Sequence, residues 1–315
     1  GYGITQLRSL NQIILKYDII HSHDLGPMMY LMPLKIFHGR KFPKLFHTTH
    51  GLSHLERKGR YFIYEKALAY MADAVIAVSE EVAHFYLNKV KINQKKLHQI
   101  LNGIQVPSHP LLPGSPEKKQ ARQKLIEKYH LPTNKIFWLF LARIVPPKDP
   151  QTLSEALEFL PQAHLLMVGP AQDFAYTENL KKIGRDGGKD NVSFLGDQPI
   201  TEIVTFLQGA DFFLSASHFE GIPLSVLEAM ACGLPCLLSD IPSHRQLARG
   251  DNPSATLFAI QRPKELAEAY RQLQHDPDQQ LKLSQNAYNL VDKFFNVKRM
   301  SQEYSQVYAC HFKRL

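Results

Sequence analysis

Ten short apolar runs, rich in β-branched residues and separated by helical patterns, constrain this chain more than any other feature. Such alternation reads as parallel βαβ units, an α/β fold. In the first third, strands are expected at 18–21, 44–48, 74–78 and 98–101, with helices between, the clearest over about 54–71. Residues 104–116 then interrupt the pattern with four prolines and a glycine, as an interdomain linker does. Beyond it, strands are expected at 136–141, 164–168, 192–195, 211–214, 235–238 and 256–259. Residues 263–293 read as helical, and Met300, Tyr304 and Tyr308 share a helical spacing near the end. The expected organisation is a partial N-terminal domain over 1–103, a linker over 104–116, a C-terminal domain over 117–295 and a closing helix over 296–315. Six strands follow the linker and four precede it, and the chain opens on an amphipathic helix, Leu7 to Leu15. On this reading the front of the first domain is missing.

The stretch Glu220 to Pro235, E-G-I-P-L-S-V-L-E-A-M-A-C-G-L-P, is the most informative about chemistry. Pro223 suits a first helical position, and Gly233 with Pro235 makes a helix stop. Val226, Leu227, Ala229, Met230, Ala231 and Cys232 leave this helix apolar on nearly every side, so it is expected to be buried, and a Glu at 228 then needs a reason. The N–H groups around Gly221, Ile222 and Leu224 offer a phosphate cradle. The other reading of this segment is an ordinary buried helix with a satisfied glutamate. Glu220 and Glu228 are too far apart for the ~5–5.5 Å carboxyl pair of a retaining glycosidase.

Other polar residues sit where α/β enzymes bind ligands, at the carboxyl ends of strands. Arg143 and Lys148 share one proline-stiffened loop and can clamp a diphosphate. Gly169 leaves room for backbone to approach a ligand. His50 and Gly51 end the second strand, and Asn102 and Gly103 end the fourth beside the linker, as lining of a cleft.

At 315 residues, 44% hydrophobic and 21% charged, the chain is long enough for two globular domains. It has no apolar run of transmembrane length and no signal-peptide pattern. Cys232, Cys236 and Cys310 form no C-x-x-C spacing and are expected to be buried free thiols in a reducing cytoplasm. Residues 1–110 hold 14 Lys and Arg against 7 Asp and Glu; the remainder holds 23 against 22. The basic part places Lys35, Arg40, Lys41, Lys44, Arg57, Lys58 and Arg60 among Phe37, Phe42, Phe46, Tyr61 and Phe62. That face suits an anionic membrane or an acidic lipid-linked substrate, or is simply a solvated basic surface. No nucleic-acid motif accompanies the charge.

Together these motifs resemble the retaining glycosyltransferases of family four, of GT-B fold, with two facing Rossmann-like domains. D-I-I-H-S-H-D, H-T-T-H-G, A-D-A-V-I-A-V-S, L-N-G-I, A-R-I-V-P-P-K, V-S-F-L-G and the Glu220–Glu228 segment occur in the family's order. The resemblance implies transfer of a sugar from a nucleotide-sugar donor to a glycan or lipid-linked acceptor, in cell-envelope polysaccharide or glycolipid synthesis. It implies no metal and no cofactor, the nucleotide sugar being substrate; the free thiols and the basic N-terminal third add the expectation of a cytoplasmic protein, peripheral at the inner face of the membrane. Arg143 and Lys148 would hold the diphosphate and Glu228 the ribose. Glu220 and the backbone of Gly221, Ile222 and Pro223 would meet the donor sugar, with Gly169 and Leu224 on the donor side and His50 near the reacting centre. Retention would follow from front-face attack, the leaving phosphate accepting the acceptor's proton.

The sequence departs from the family pattern at Ser243 and Gln246, where a small glycine turn and a glutamate are usual. The alternatives are a GT-B sugar-nucleotide epimerase and an inactive nucleotide-binding fragment or scaffold. His21, His23, Asp24, His47 and His50 could suggest a metal cluster but fit cleft lining. The D-x-D at Asp276 and Asp278 reads as turn and capping chemistry, residues 184–190 as a surface turn, and Trp138 as core.

Overall fold

A computed structural model describes residues 3–51, 59–186, 191–248 and 252–312. The chain forms two compact units, one of Gly1–Gly103 with Lys298–Leu315 and one of Ile104–Val297. Each carries one parallel sheet, and every strand lies within two residues of its expected span.

In the first unit the order is α1 (Ile4–Ile14), β1 (Ile19–His23), α2 (Leu25–His38), β2 (Lys44–Thr49), α3 (Gly59–Met71), β3 (Ala74–Ala77), α4 (Glu80–Phe85) and β4 (Leu97–Gln99). The sheet runs β1-β2-β3-β4, with His21, Ser22 and His23 beside Phe46, His47 and Thr48. Because side chains alternate across a strand, the two faces carry different residues. Leu45, Val75 and Ala77 point into a core shared with Met28, Leu31, Leu34, Leu68 and Tyr86 from α2 to the turn after α4. Phe46, Ala74 and Ile76 point to the other face. That face is covered by the last helix of the sequence, α13 (Val297–Phe312), through Met300, Tyr304, Val307 and Tyr308. Arg299 fastens the same helix by donating to the Leu101 carbonyl at 2.6 Å.

The second unit contains α5 (Pro116–Tyr129), β5 (Ile136–Leu141), α6 (Pro150–Ala156), β6 (Ala163–Val168), α7 (Phe174–Asp186), β7 (Val192–Gly196) and α8 (Ile200–Gly209). It continues with β8 (Phe212–Ser215), α9 (Leu224–Ala231), β9 (Cys236–Ser239), α10 (Pro242–Ala248), β10 (Thr256–Phe258), α11 (Pro263–Gln274) and α12 (Pro277–Phe294). The sheet order is β10-β9-β8-β5-β6-β7, so the connection direction reverses between β5 and β8. That reversal is the switch point at which doubly wound sheets bind ligands. Trp138, Phe140, Leu165, Met167, Phe212 and Leu214 fill one face together with Leu266 and Tyr270 from α11, and Trp138 is fully buried.

Residues 104–116 belong to the second unit. Leu111 donates to the Cys232 carbonyl at 3.1 Å, and a Cβ on Gly233 (φ +78) would lie 2.8 Å from Pro110. The glycine that stops α9 therefore also lets this segment pass. Asp276 caps α12 through the Gln279 N–H at 2.9 Å, as its turn position predicts. Two expectations fail on burial: Cys310 is exposed and Cys232 half-buried, leaving Cys236 as the buried thiol. Residues 52–58, with Arg57 and Lys58, lie outside the described residues, as do 187–190 of the expected surface turn, whose first part completes α7.

Candidate functional site

At the switch point of the second unit the loops after β5 and β8 are stitched together. His218 N–H donates to the Pro147 carbonyl at 3.0 Å, and its Nε2 lies 3.1 Å from Asp149 Oδ2. Asp149 sits in the left-handed region (φ 46), where it also caps α6 through the Thr152 N–H. One residue earlier, Lys148 donates to Glu220, whose side chain is 13% exposed. Ser217 donates to the same carboxylate at 2.7 Å, and Ser239 donates to the Ser217 carbonyl at 2.6 Å. The two residues expected to clamp a diphosphate and to touch a sugar thus form one ion pair, at a place where each is partly withdrawn from water. Arg143 is exposed and donates to Gln172 Oε1 at 3.2 Å.

Helix α9 begins one residue later than Pro223 predicts, with Pro223 as its N-cap and no side chain capping it. The Leu224, Ser225 and Val226 N–H groups have no acceptor within the helix, and no described residue elsewhere accepts from them. Ile222 and Pro223 are buried, Gly221 half-buried, and Leu224 exposed. The apolar residues of α9 are buried as expected, but Glu228 is half-buried rather than enclosed. No described residue donates a hydrogen bond to its carboxylate, and desolvation alone raises its pKa. His244, fully buried nearby, is pushed down by desolvation and feels both Glu220 and Lys148.

Gly169 has a packing reason to be glycine as well. With φ +138, a Cβ there would lie 2.1 Å from the Ala142 carbonyl oxygen. The space is used by the loop after β5, which also returns a hydrogen bond from Ile144 N–H to the Pro170 carbonyl at 3.0 Å.

In the first unit the strand ends gather imidazoles. His23 Nδ1 lies 2.9 Å from His50 Nε2, and the His50 N–H donates to Asp24 at 2.9 Å. His21 stacks on His23 at 4.4 Å between centroids. Its Nδ1 lies 2.6 Å from the Tyr308 hydroxyl and its Nε2 lies 2.8 Å from the Thr48 hydroxyl. Burial first, and then the neighbouring histidines, hold the His21 pKa down at about 4. His47 departs from the expected cleft lining: it is fully buried on the opposite face and meets Glu65 at 2.9 Å, in a network with Thr49 and Tyr86. Among the described residues no three His, Cys, Asp or Glu side chains are grouped to hold a metal ion.

Gly51 is half-exposed, and a Cβ there would meet no described atom within 4 Å. Asn102 is half-buried, and the Gly103 N–H donates to Met300 Sδ at 3.2 Å. Sequence reasoning missed Ser217, His218 and Asp149, and it missed the two tyrosines of α13 as partners of His21. Only the helical spacing of Tyr304 and Tyr308 hinted at the latter. Nothing local in the sequence names which strand face a terminal helix will cover.

Comparison with known proteins follows the same division. Residues 1–106 match the family described as Glycosyltransferase Family 4, and residues 121–290 match Glycosyl transferases group 1. EpsD of Bacillus subtilis (strain 168), provisionally named a glycosyltransferase, is 26% identical over 96% of this chain and 80% of its own length. An Escherichia coli enzyme, UDP-Gal:alpha-D-GlcNAc-diphosphoundecaprenol alpha-1,3-galactosyltransferase, is 25% identical over 75% of this chain and 61% of its own. Among solved structures, Anabaena HepE in complex with UDP and glucose superposes with a TM-score of 0.82 at 20% identity, covering 97% of this chain and 81% of that one. These folds are GT-B, the class expected from the motifs. With a group 1 match over more than half of its residues, centred on the Lys148–Glu220 switch point, this chain belongs to the glycosyl transferases group 1 family.

Proposed function

We propose that the protein is a retaining glycosyltransferase that moves a sugar from a nucleoside diphosphate sugar to a glycan or lipid-linked acceptor in cell-envelope synthesis. The observation that carries this reading is the Lys148–Glu220 pair at the β5/β8 switch point, set beside unacceptored N–H groups at the start of α9. Cation and helix N-terminus together suit a leaving diphosphate. Arg143, with one neutral partner, is available to the same anion. Glu228, lacking a donor of its own, suits the hydroxyls of a ribose. Glu220 is already engaged by Lys148 and Ser217, which supports contact with the sugar rather than nucleophilic attack on it. In this reading the leaving phosphate takes the acceptor's proton, no metal or cofactor is needed, and His50 lies near the reacting carbon.

The relative from Escherichia coli acts, by its name, on a diphosphoundecaprenol-linked sugar, which supports a lipid-linked acceptor here. No described helix is long and apolar enough to cross a membrane. In this reading the protein works in the cytoplasm, peripheral at the inner membrane face, with part of the basic surface making that contact. Phe46 is fully buried and Phe42 nearly so, and Asp73 pairs with Lys35 and Lys44. Among the described residues of that set, Phe37, Arg40, Lys41 and Arg60 face outward, with Phe37 78% exposed beside Ile36 at 70%.

Calorimetry with UDP, GDP and ADP tests the reading, together with NMR of the anomeric configuration of any transferred sugar. Nucleotide binding that weakens in Lys148→Ala, and a product of retained configuration, are the expected results. No binding of any nucleoside diphosphate would sink the assignment.

A further inference from the structure

We propose that His23, directly, and Tyr308, through His21 and His23, are positioning residues for His50. This inference rests on the function proposed for His50. Every link is a contact in one unit. Tyr308 comes from α13, at the far end of the sequence, and lies within 2.6 Å of His21 Nδ1. Thr48 occupies the other ring nitrogen at 2.8 Å, and Tyr304 lies 3.3 Å from the Thr48 hydroxyl. A neutral imidazole has one donor and one acceptor nitrogen. A phenol donating to Nδ1 leaves the proton on Nε2, facing Thr48, so both nitrogens are satisfied and the ring cannot rotate without losing two hydrogen bonds.

His21 and His23 are two residues apart on β1 and so share a face. The fixed ring of His21 is the surface on which His23 stacks, at 4.4 Å and 27°. His23 in turn meets His50 through Nδ1 and Nε2 at 2.9 Å, the rings inclined by 19°. Among the described residues the His50 ring has no other hydrogen-bond partner; Asp24 holds only its backbone N–H. The exposed imidazole at the end of β2 is thus aimed by a chain of side chains that begins on α13. The titratable groups around the His23–His50 pair are Asp24 after β1, His21 on β1, His47 on β2, and Tyr304 and Tyr308 on α13.

The test uses three variants of the full chain. Tyr308→Phe keeps the ring that packs on Phe46 and removes the hydroxyl; His23→Gln alters an exposed side chain; His50→Gln assigns the resonance. The imidazole Cε1–H signals are titrated by NMR. Nucleotide affinity and, with a competent acceptor, kcat and KM are then measured. The expected result is a shifted His50 titration in His23→Gln, and a smaller shift of the same sign in Tyr308→Phe. Turnover should fall about tenfold, the scale of one hydrogen bond, with nucleotide affinity unchanged. A His50 titration identical in all three backgrounds that retain His50 overturns the proposal, as does a shifted titration with unchanged kcat. If wild-type protein transfers nothing, the failure belongs to the function reading, and the titration still decides whether Tyr308 reaches His50.

Discussion

Lys148 meets Glu220 across two loops of the second unit as cation and carboxylate, whereas His23 meets His50 in the first unit with no counter-ion between them. The first arrangement is built within one doubly wound half by neighbouring strand ends. The second needs a helix from the opposite end of the sequence. Opposite charges drawn partly out of water keep their geometry over a wide pH range and answer to substitution. A cluster of imidazoles answers to protons. The two sites should therefore break under different perturbations, and the difference can be measured.

The largest effect is expected from backbone in the second unit. Gly169→Ala places a methyl group on the Ala142 carbonyl at a φ of +138, and should cost about 3 kcal/mol of stability. A fall in Tm confined to the second unit's transition is the expected readout; an unchanged Tm would mean the β5 loop can yield.

Next comes the ion pair. Lys148→Ala removes a charge-assisted contact of about 1.5–3 kcal/mol, so nucleotide affinity should drop roughly ten- to hundredfold in calorimetry. The partner variant Glu220→Gln should restore part of the stability lost by Lys148→Ala, because it removes the carboxylate left behind. A strictly additive double variant would show that the two side chains are not coupled.

Acid should separate the units. The folded pKa of His21 is lowered from 6.5 to about 4, and those of His23 and His98 are lowered too. Between those values the unfolded chain binds protons that the folded unit refuses, so stability falls as pH drops from about 6.5 toward 4 and levels off below. In the second unit His244 acts in the same direction, but Asp211 and Glu228, raised by desolvation, bind protons when folded and oppose it. Scanning calorimetry from pH 7 to pH 4 should show the first unit's transition moving down farther than the second's. His21→Gln should flatten that slope.

The smallest expected change is that of Glu228→Gln. With no protein donor to lose, stability should stay level or rise by up to about 1 kcal/mol, while nucleotide affinity falls several-fold. A large loss of stability instead would make Glu228 a structural residue.

The comparison also explains what could be read from sequence. Strand positions were legible because parallel strands buried on both faces write themselves as apolar runs. The segment from Glu220 to Pro235 was legible because proline, glycine and a misplaced glutamate carry strong local rules. The pairing of Lys148 with Glu220 was not, since it depends on β5 lying beside β8, a neighbour relation set by the whole sheet. The packing of the β5 loop against Gly169 was not legible either, since it too depends on neighbouring strand ends. Phe42 and Phe46 looked like part of a basic surface because charge runs do not reveal which way a strand alternates. His47 and His50 sit three residues apart and seem equivalent in sequence; the pleat sends one into the core and leaves the other at the edge.

Helix α13 has a consequence for the order of synthesis. His21 and Tyr308 are separated by 287 positions, and the whole second unit is translated between the first unit's sheet and the helix that covers it. At about 5–20 residues per second, the ribosome needs roughly 10–40 s to travel from Gly103 to Lys298. Throughout that interval Phe46, Ile76 and Ile100 wait without Met300 and Val307 against them. The sheet of the first unit is thus covered on this face only after the second unit has been translated.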